Sequence, residues 1–124
     1  MTLLAFDRAG HGEPLLLLHG IGSTRGDFSG LFPRLAEDFD VLSLDLPGHG
    51  ESPLRVWPPT VAALTDEVEA DLDARGLDRV HVLGNSLGGR IGIELAVRHR
   101  TRSLIALSPN GLGLPAERVH QGIL

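Results

Sequence analysis

The segment Gly84-Asn85-Ser86-Leu87-Gly88 has the pattern G-x-S-x-G, in which a serine hydroxyl stands at a sharp turn between a strand and a helix. The context agrees, because residues 79–83 form an apolar run typical of a strand and residues 87–99 are predicted to be a helix. The two glycines leave room where chains approach closely at such a turn. We therefore predict that Ser86 is a nucleophile. The alternatives are a serine that only caps the helix and a dinucleotide loop, although G-x-G-x-x-G is absent at this turn.

Attack by a serine on an acyl group creates an oxyanion, which enzymes stabilise with about two backbone N–H donors. Leu87, the residue after the nucleophile, is expected to supply one of them. Ile21 is expected to supply the second, because Gly20 and Gly22 let the backbone around it turn its amides towards a ligand. His19 begins the same loop, and we expect its side chain to organise the loop by hydrogen bonding rather than to act as the catalytic base.

Short apolar runs alternate along the chain with longer amphipathic stretches, which predicts an α/β fold with a mostly parallel sheet and helices on both faces. The predicted strands are residues 3–6, 14–18, 39–44, 79–83 and 103–107, with a turn region at 7–13. The predicted helices are 26–37, which Pro33 disturbs, 61–75, with Thr60 as N-cap and Gly76 after its end, and 87–99. Ligands of such sheets bind beyond the carboxyl ends of the strands, where the glycine-rich loops of this sequence fall.

Composition restricts the classes of function. The length of 124 residues fits one domain, and 42% hydrophobic with 22% charged residues is typical of a globular protein. The net charge of −5 argues against binding to nucleic acid or to an anionic membrane surface. A small-molecule substrate is the partner expected for a serine nucleophile. The lack of cysteine and of a secretory leader pattern favours a cytoplasmic location. The six histidines lack metal-ligand spacing, so neither a metal nor another cofactor is expected, and the oligomeric state stays open.

A third loop carries the segment Asp45-Leu46-Pro47-Gly48-His49-Gly50-Glu51-Ser52. Together with His19-Gly20 and the serine motif, in this order, it resembles the serine-nucleophile branch of the α/β-hydrolase fold family. The resemblance implies that Asp45, Gly48 and His49 belong to a structural loop that lines the pocket. It also implies that residues 1–124 are the N-terminal portion of a single α/β-hydrolase domain, truncated after the sixth strand of the family, with a lid starting in 110–124.

The resemblance further implies a serine hydrolase that acts on an ester or a related acyl or carbon–carbon bond, and acyltransferases with the same turn remain an alternative. In this family the catalytic Asp or Glu and then the His follow the serine along the chain. Residues 108–111 contain no carboxylate, and Glu117 and His120 are expected to be surface residues. We therefore expect the chain alone to be inactive, with an unpaired apolar edge on its last strand that favours aggregation. A non-catalytic binding module or an inert fragment is the second alternative.

Overall fold

Five strands form a single sheet within residues 3–109, the part of the chain that the computed structural model describes. The strands are β1 (Phe6–Ala9), β2 (Glu13–Leu18), β3 (Phe39–Leu44), β4 (Val80–Asn85) and β5 (Thr101–Leu107). Their order is β1-β3-β2-β4-β5, in which β1 is antiparallel to β3 and the other neighbours are parallel. The carboxyl ends of β2, β3, β4 and β5 therefore lie along one edge of the sheet.

The helical elements of residues 3–109 begin and end where local chemistry favours it. They are a 3-10 helix (Arg25–Phe28), α1 (Phe32–Leu35), α2 (Val61–Ala74) and α3 (Leu87–Val97). The α2 helix begins after Thr60, whose Oγ1 accepts a hydrogen bond from the Ala63 N–H at 3.1 Å. It ends before Gly76, which takes the left-handed conformation (φ 73°) common just after a helix.

The sheet has a hydrophobic core on each face, as the predicted α/β architecture requires. Successive side chains of β2 point to opposite faces, so Leu16 and Leu18 join the larger cluster with residues of α2 and α3. Leu15 and Leu17 join a smaller cluster on the other face, together with Phe28 of the 3-10 helix. These four leucines are at most 8% exposed, which explains why β2 is an unbroken apolar run. The predicted fold class is confirmed.

The predicted first strand at 3–6 is wrong in position, and the predicted turn at 7–13 begins too early. The paired strand is Phe6–Ala9, whose residues are all exposed, so no alternation of apolar and polar residues marks it. The apolar residues before it have another role: Leu4 is buried in the larger cluster, and its N–H donates to the Asp71 carboxylate at 2.8 Å. The chain therefore reaches the sheet only after it has crossed the end of α2.

The predicted helix at 26–37 is also wrong as a single element, because it is divided into the 3-10 helix and the one-turn α1. Gly30 lies between the two, and Pro33 stands in the first turn of α1, where the missing N–H is not needed. The predicted helix at 87–99 ends two residues early, at Val97, and His99 turns into the left-handed region (φ 60°) before β5.

The proposed lid at 110–124 lies outside the described residues. Within residues 3–109, none of the helices has the length and apolar character needed to cross a membrane. The same part of the chain holds no group of three or more side chains placed to bind a metal ion.

Candidate active site

Ser86 is the single residue between β4, which ends at Asn85, and α3, which begins at Leu87. Its backbone has φ 55° and ψ −116°, a conformation that residues with a side chain rarely adopt. Two hydrogen bonds hold it: the Ser86 N–H donates to the Leu107 carbonyl at 2.8 Å, and the Ser86 carbonyl accepts from the Arg90 N–H at 3.0 Å. The strand-to-helix turn predicted from the motif is therefore present, and the fold holds Ser86 in strained backbone.

The glycines of the motif are required by close backbone contacts. A Cβ on Gly84 would lie 2.3 Å from the Gly88 carbonyl oxygen, and a Cβ on Gly88 would lie 2.1 Å from the Leu18 carbonyl oxygen. The Gly88 N–H donates to the His19 carbonyl at 3.0 Å, which ties the start of α3 to the end of β2. The side chain of any other residue at either position would force these segments apart.

The loop after β2 reaches the serine. A Cβ on Gly20 would lie 3.3 Å from the Ser86 Cβ, so the chain at Gly20 passes directly beside the serine. A hydrogen bond of 3.2 Å from the Ser23 N–H to the Gly20 carbonyl closes a turn whose central residues are Ile21 and Gly22. Gly22 takes φ 75°, the positive value that the second central position of a type II turn requires. Ile21 therefore lies one residue from the contact with Ser86, at the first central position.

Leu87 occupies the first position of α3 and is fully buried. The Gly88 N–H is bonded to the His19 carbonyl, and the Leu87 N–H stands one residue earlier, at a position where an N–H has no acceptor within the helix. The positive end of the helix dipole also favours negative charge at this point. The three residues predicted to act on the substrate, Ser86, Leu87 and Ile21, are thus gathered at the carboxyl edge of the sheet.

His19 is completely buried, and both of its ring nitrogens are engaged. Its Nδ1 lies 2.7 Å from the Gly20 carbonyl oxygen, and its Nε2 accepts from the Leu46 N–H at 3.0 Å. This pattern requires the proton on Nδ1 and a neutral ring. Burial lowers the pKa of His19 below its ordinary value, against the opposing effect of the Gly20 carbonyl. The geometry supports a histidine that joins two loops rather than one free to accept a proton from Ser86.

The loop after β3 is organised around the buried carboxylate of Asp45. This carboxylate accepts from the backbone N–H of Arg25 at 2.8 Å and of Glu51 at 2.9 Å, and it pairs with the Arg25 guanidinium. Burial alone would raise the pKa of Asp45, but these donors outweigh burial and hold the pKa below its ordinary value. Gly50 (φ 51°) leaves the space, since a Cβ there would lie 2.3 Å from Oδ2.

Gly48 and His49 complete this loop. Gly48 takes φ 78°, and a Cβ there would lie 3.3 Å from the Leu54 Cβ. The His49 ring lies 5.1 Å from the His19 ring between centroids, and its Nδ1 is 3.1 Å from the Pro47 carbonyl oxygen. The loops after β2 and β3 are therefore in direct contact behind the serine.

Arg25 belongs to this scaffold although no sequence motif marks it. Its guanidinium reaches Asp45, Asp7 at 3.1 Å and Glu51 at 2.8 Å, and so joins β1 to the loops after β2 and β3. The sequence gives only an indirect indication of this role. Asp45 follows a buried strand, and a carboxylate that is itself buried needs a positively charged or hydrogen-bonding partner. Sequence alone does not say which arginine supplies that partner.

Comparisons with known proteins agree with this architecture. A family model described as alpha/beta hydrolase fold matches residues 13–122. The pimeloyl-[acyl-carrier protein] methyl ester esterase of Neisseria meningitidis serogroup B is 39% identical over 117 residues, which cover 84% of this chain and 43% of the esterase. A dihydrolipoyllysine-residue acetyltransferase component of the acetoin cleaving system, from Cupriavidus necator, is 35% identical over 108 residues, covering 86% of this chain and 29% of that protein. The structure of a thermophilic esterase from Thermogutta terrifontis matches with a TM-score of 0.84 at 29% identity, covering 92% of this chain and 43% of that one.

The chain spans less than half the length of these relatives. The part matched by the family model nevertheless contains β2 to β5, the strained serine and both neighbouring loops, and it extends over most of the chain. The relatives support a hydrolase-type enzyme for the family, with esterases among them. Sequence, geometry and comparison agree that the chain belongs to the alpha/beta hydrolase fold family.

Proposed function

We propose that Ser86 is the nucleophile of a serine hydrolase that cleaves an ester or a related acyl or carbon–carbon bond. The observation that carries the proposal is the left-handed backbone of Ser86 (φ 55°) at the start of α3, with Gly20 against it. Such strain persists only where the surrounding structure enforces it, and it is frequent at active sites. The esterases among the relatives support the ester as the bond cleaved.

In the proposed reaction the Ser86 Oγ attacks the carbonyl carbon, and an Oγ–C bond forms while the carbonyl electrons move to the oxygen. The N–H groups of Ile21 and Leu87 stabilise this oxyanion, and loss of one such donor typically costs about 2.7–4 kcal/mol. The hydroxyl proton passes to a general base and then to the leaving alcohol. Water afterwards releases the acid from the acyl-serine and regenerates the hydroxyl.

We do not assign the base to His19, because both of its nitrogens are engaged. The family order implies a histidine that follows the serine along the chain, oriented by an Asp or Glu. The reaction uses no cofactor or metal, and the proposed partner is a small molecule rather than nucleic acid or a membrane. A cytoplasmic location likewise stays a prediction that rests on the cysteine-free composition.

The test is covalent labelling of the chain with a fluorophosphonate, followed by intact-mass and peptide analysis. We expect a single adduct on Ser86 that is lost in Ser86→Ala and kept in Ser29→Ala, since Ser29 is an exposed serine outside the site. Labelling is expected to be slow and ester turnover unmeasurable, because serine enzymes without their triad retain only about 10³–10⁴-fold catalysis over water. Equal labelling of Ser86→Ala, or adducts spread over exposed serines, would contradict the proposal.

Acyl transfer to an acceptor other than water is the second candidate, and the acetyltransferase component among the relatives favours it. Both reactions share the acyl-serine and differ in what discharges it. If an activated ester acylates Ser86, a dithiol such as dihydrolipoamide would discharge the acyl-serine faster than water in a transferase. An unchanged rate of discharge would favour the hydrolase.

A further inference from the structure

A cavity of about 540 Å³ lies at the amino ends of β4 and β5, at the edge of the sheet opposite Ser86. Arg79, which precedes β4, and Arg102 of β5 line it together with the apolar side chains of Pro14 and Leu77. The length of β4 separates this cavity from the serine by about 20 Å. Its volume is in the range of small-molecule sites, about 300–1,000 Å³. The cavity is therefore distinct from the candidate active site.

The Arg102 guanidinium is held in place by two hydrogen bonds. Its Nε donates to the Arg79 carbonyl oxygen at 3.1 Å, and its Nη1 donates to the Glu13 carboxylate at 2.7 Å. Its Nη2 forms no hydrogen bond with residues 3–109. Because the planar guanidinium carries five N–H donors in a fixed arrangement, the two bonds orient the group and leave other donors for a ligand.

Arg79 supplies a second guanidinium beside the first. The bond from the Arg102 Nε to the Arg79 carbonyl places the two residues in contact. Within the part of the chain that the structure describes, the Arg79 side chain takes part in no hydrogen bond or ion pair. The Glu13 carboxylate pairs with Arg102 alone of these two arginines, so the charge of Arg79 stays available.

Two acidic side chains also line the cavity, and each of them lies beside another arginine. The Asp40 carboxylate accepts two hydrogen bonds from the Arg8 guanidinium, at 3.0 and 2.8 Å. The Asp78 carboxylate is 91% exposed and lies 3.9 Å from the Arg100 Nε. The chain as a whole carries a net charge of −5, so its long-range field repels anions. An anion bound in this cavity would therefore be held by local contacts with Arg79 and its neighbour.

We propose that this cavity binds a small phosphomonoester, with the phosphate between Arg79 and Arg102 and the organic group against Pro14 and Leu77. Guanidinium groups donate pairs of hydrogen bonds to phosphate oxygens, and two of them match a phosphate that is doubly charged near neutral pH. A lone phosphate ion would occupy only a small part of the cavity, which leaves room for an organic group on its apolar wall. This site does not depend on the reaction proposed for Ser86.

The experiment is equilibrium dialysis of phenyl phosphate against the 124-residue chain, with inorganic phosphate and benzoate as comparison ligands. At pH 8 the phosphate is doubly charged, because its second pKa is about 6. We expect phenyl phosphate to bind at least about tenfold more tightly than either comparison ligand, since only it offers both a phosphate and apolar surface. Arg79→Gln and Arg102→Gln should each weaken its binding at least about tenfold, as expected for loss of hydrogen bonds to a charged group.

Arg34→Gln is the matched control, because Arg34 is an exposed arginine of α1 outside the cavity and its replacement removes the same charge. It should leave the affinity unchanged. Arg79→Gln removes no contact within residues 3–109, so a loss of binding in this variant does not come from unfolding.

Unchanged affinity in Arg79→Gln and Arg102→Gln, or equal weakening by Arg34→Gln, would overturn the site. Equally tight binding of inorganic phosphate would overturn the role given to Pro14 and Leu77. Equally tight binding of benzoate would overturn the preference for phosphate.

Discussion

At the scale of single residues, Ser86 shows how the surrounding chain determines a strained backbone conformation. A non-glycine residue in such backbone costs about 1–3 kcal/mol, which the neighbouring structure must offset. Here the offset comes from hydrogen bonds that use the carbonyl of Leu107 in β5 and, one turn into α3, the N–H of Arg90. The serine is therefore positioned by its neighbours and not by its own preference.

The same dependence predicts the effect of Gly88→Ala. Its Cβ would lie 2.1 Å from a backbone oxygen of β2, and neither partner can rotate away, so we expect a loss of at least about 3 kcal/mol in the free energy of unfolding. Gly30→Ala is the control, because a Cβ at Gly30 has no neighbour within 4 Å and its φ is not positive. Urea unfolding followed by circular dichroism measures both. Similar urea midpoints for Gly88→Ala and Gly30→Ala would show that the close approach of residue 88 to the backbone of β2 does not restrict the turn.

Sequence alone predicts the residues whose constraints are local. The glycines on either side of Ser86 are enough to predict the turn at the serine. The start of α2 is predicted from Thr60, because an N-cap needs only this side chain and an amide three residues away. Arg25 could not be predicted, since its partners at Asp7, Asp45 and Glu51 are distant in the chain. β1 was misplaced because it is exposed on both faces and so lacks the alternation that indicates a strand.

At the scale of elements, the two loops behind the serine are joined by groups that titrate. Asp45 has a lowered pKa, so the stability it contributes is complete above its unfolded pKa of about 3.9 and is lost as the pH falls through the folded value. His19 also has a lowered pKa, here because burial disfavours the charged ring. The unfolded chain therefore binds a proton at His19 before the folded protein does.

Because the pKa of His19 is lowered by folding, its contribution to stability depends on pH in a direction that can be tested. Stability from the neutral ring is complete above the unfolded pKa of about 6.5 and declines as the pH falls from there towards the lower folded value. We expect His19→Gln, whose amide can still accept from the Leu46 N–H, to lose less stability between pH 7 and pH 5 than the parent chain. His11→Gln, at an exposed position, is the control. Urea midpoints across this range provide the measurement, and parallel curves for the parent chain and His19→Gln would contradict the assignment.

At the scale of the whole molecule, the two faces of the sheet are covered unequally. α2 and α3 cover one face, whereas the smaller cluster on the other face centres on β2 and β3. Ile105 and Leu107 of β5 are 59% and 50% exposed, and within residues 3–109 β5 pairs with β4 alone. An exposed apolar edge strand of this kind promotes association between chains.

We expect Ile105→Lys to slow aggregation of the chain, because a lysine on an edge strand opposes pairing with a second strand. Val97→Lys adds the same charge at an apolar residue that is 65% exposed on α3, so it controls for net charge alone. Light scattering at increasing protein concentration compares the two with the parent chain. If both variants slowed aggregation equally, the effect would come from the added charge and not from the exposed edge of β5.

The hydrogen bond from Ser86 to Leu107 also sets an order of events during synthesis. A ribosome adds about 5–20 residues each second, so Leu107 joins the chain roughly 1–4 s after Ser86. Until then the bend has no carbonyl from β5 to hold it, and the nascent serine is free to relax into ordinary backbone. The strained backbone of Ser86 is therefore completed late, when β5 pairs with β4.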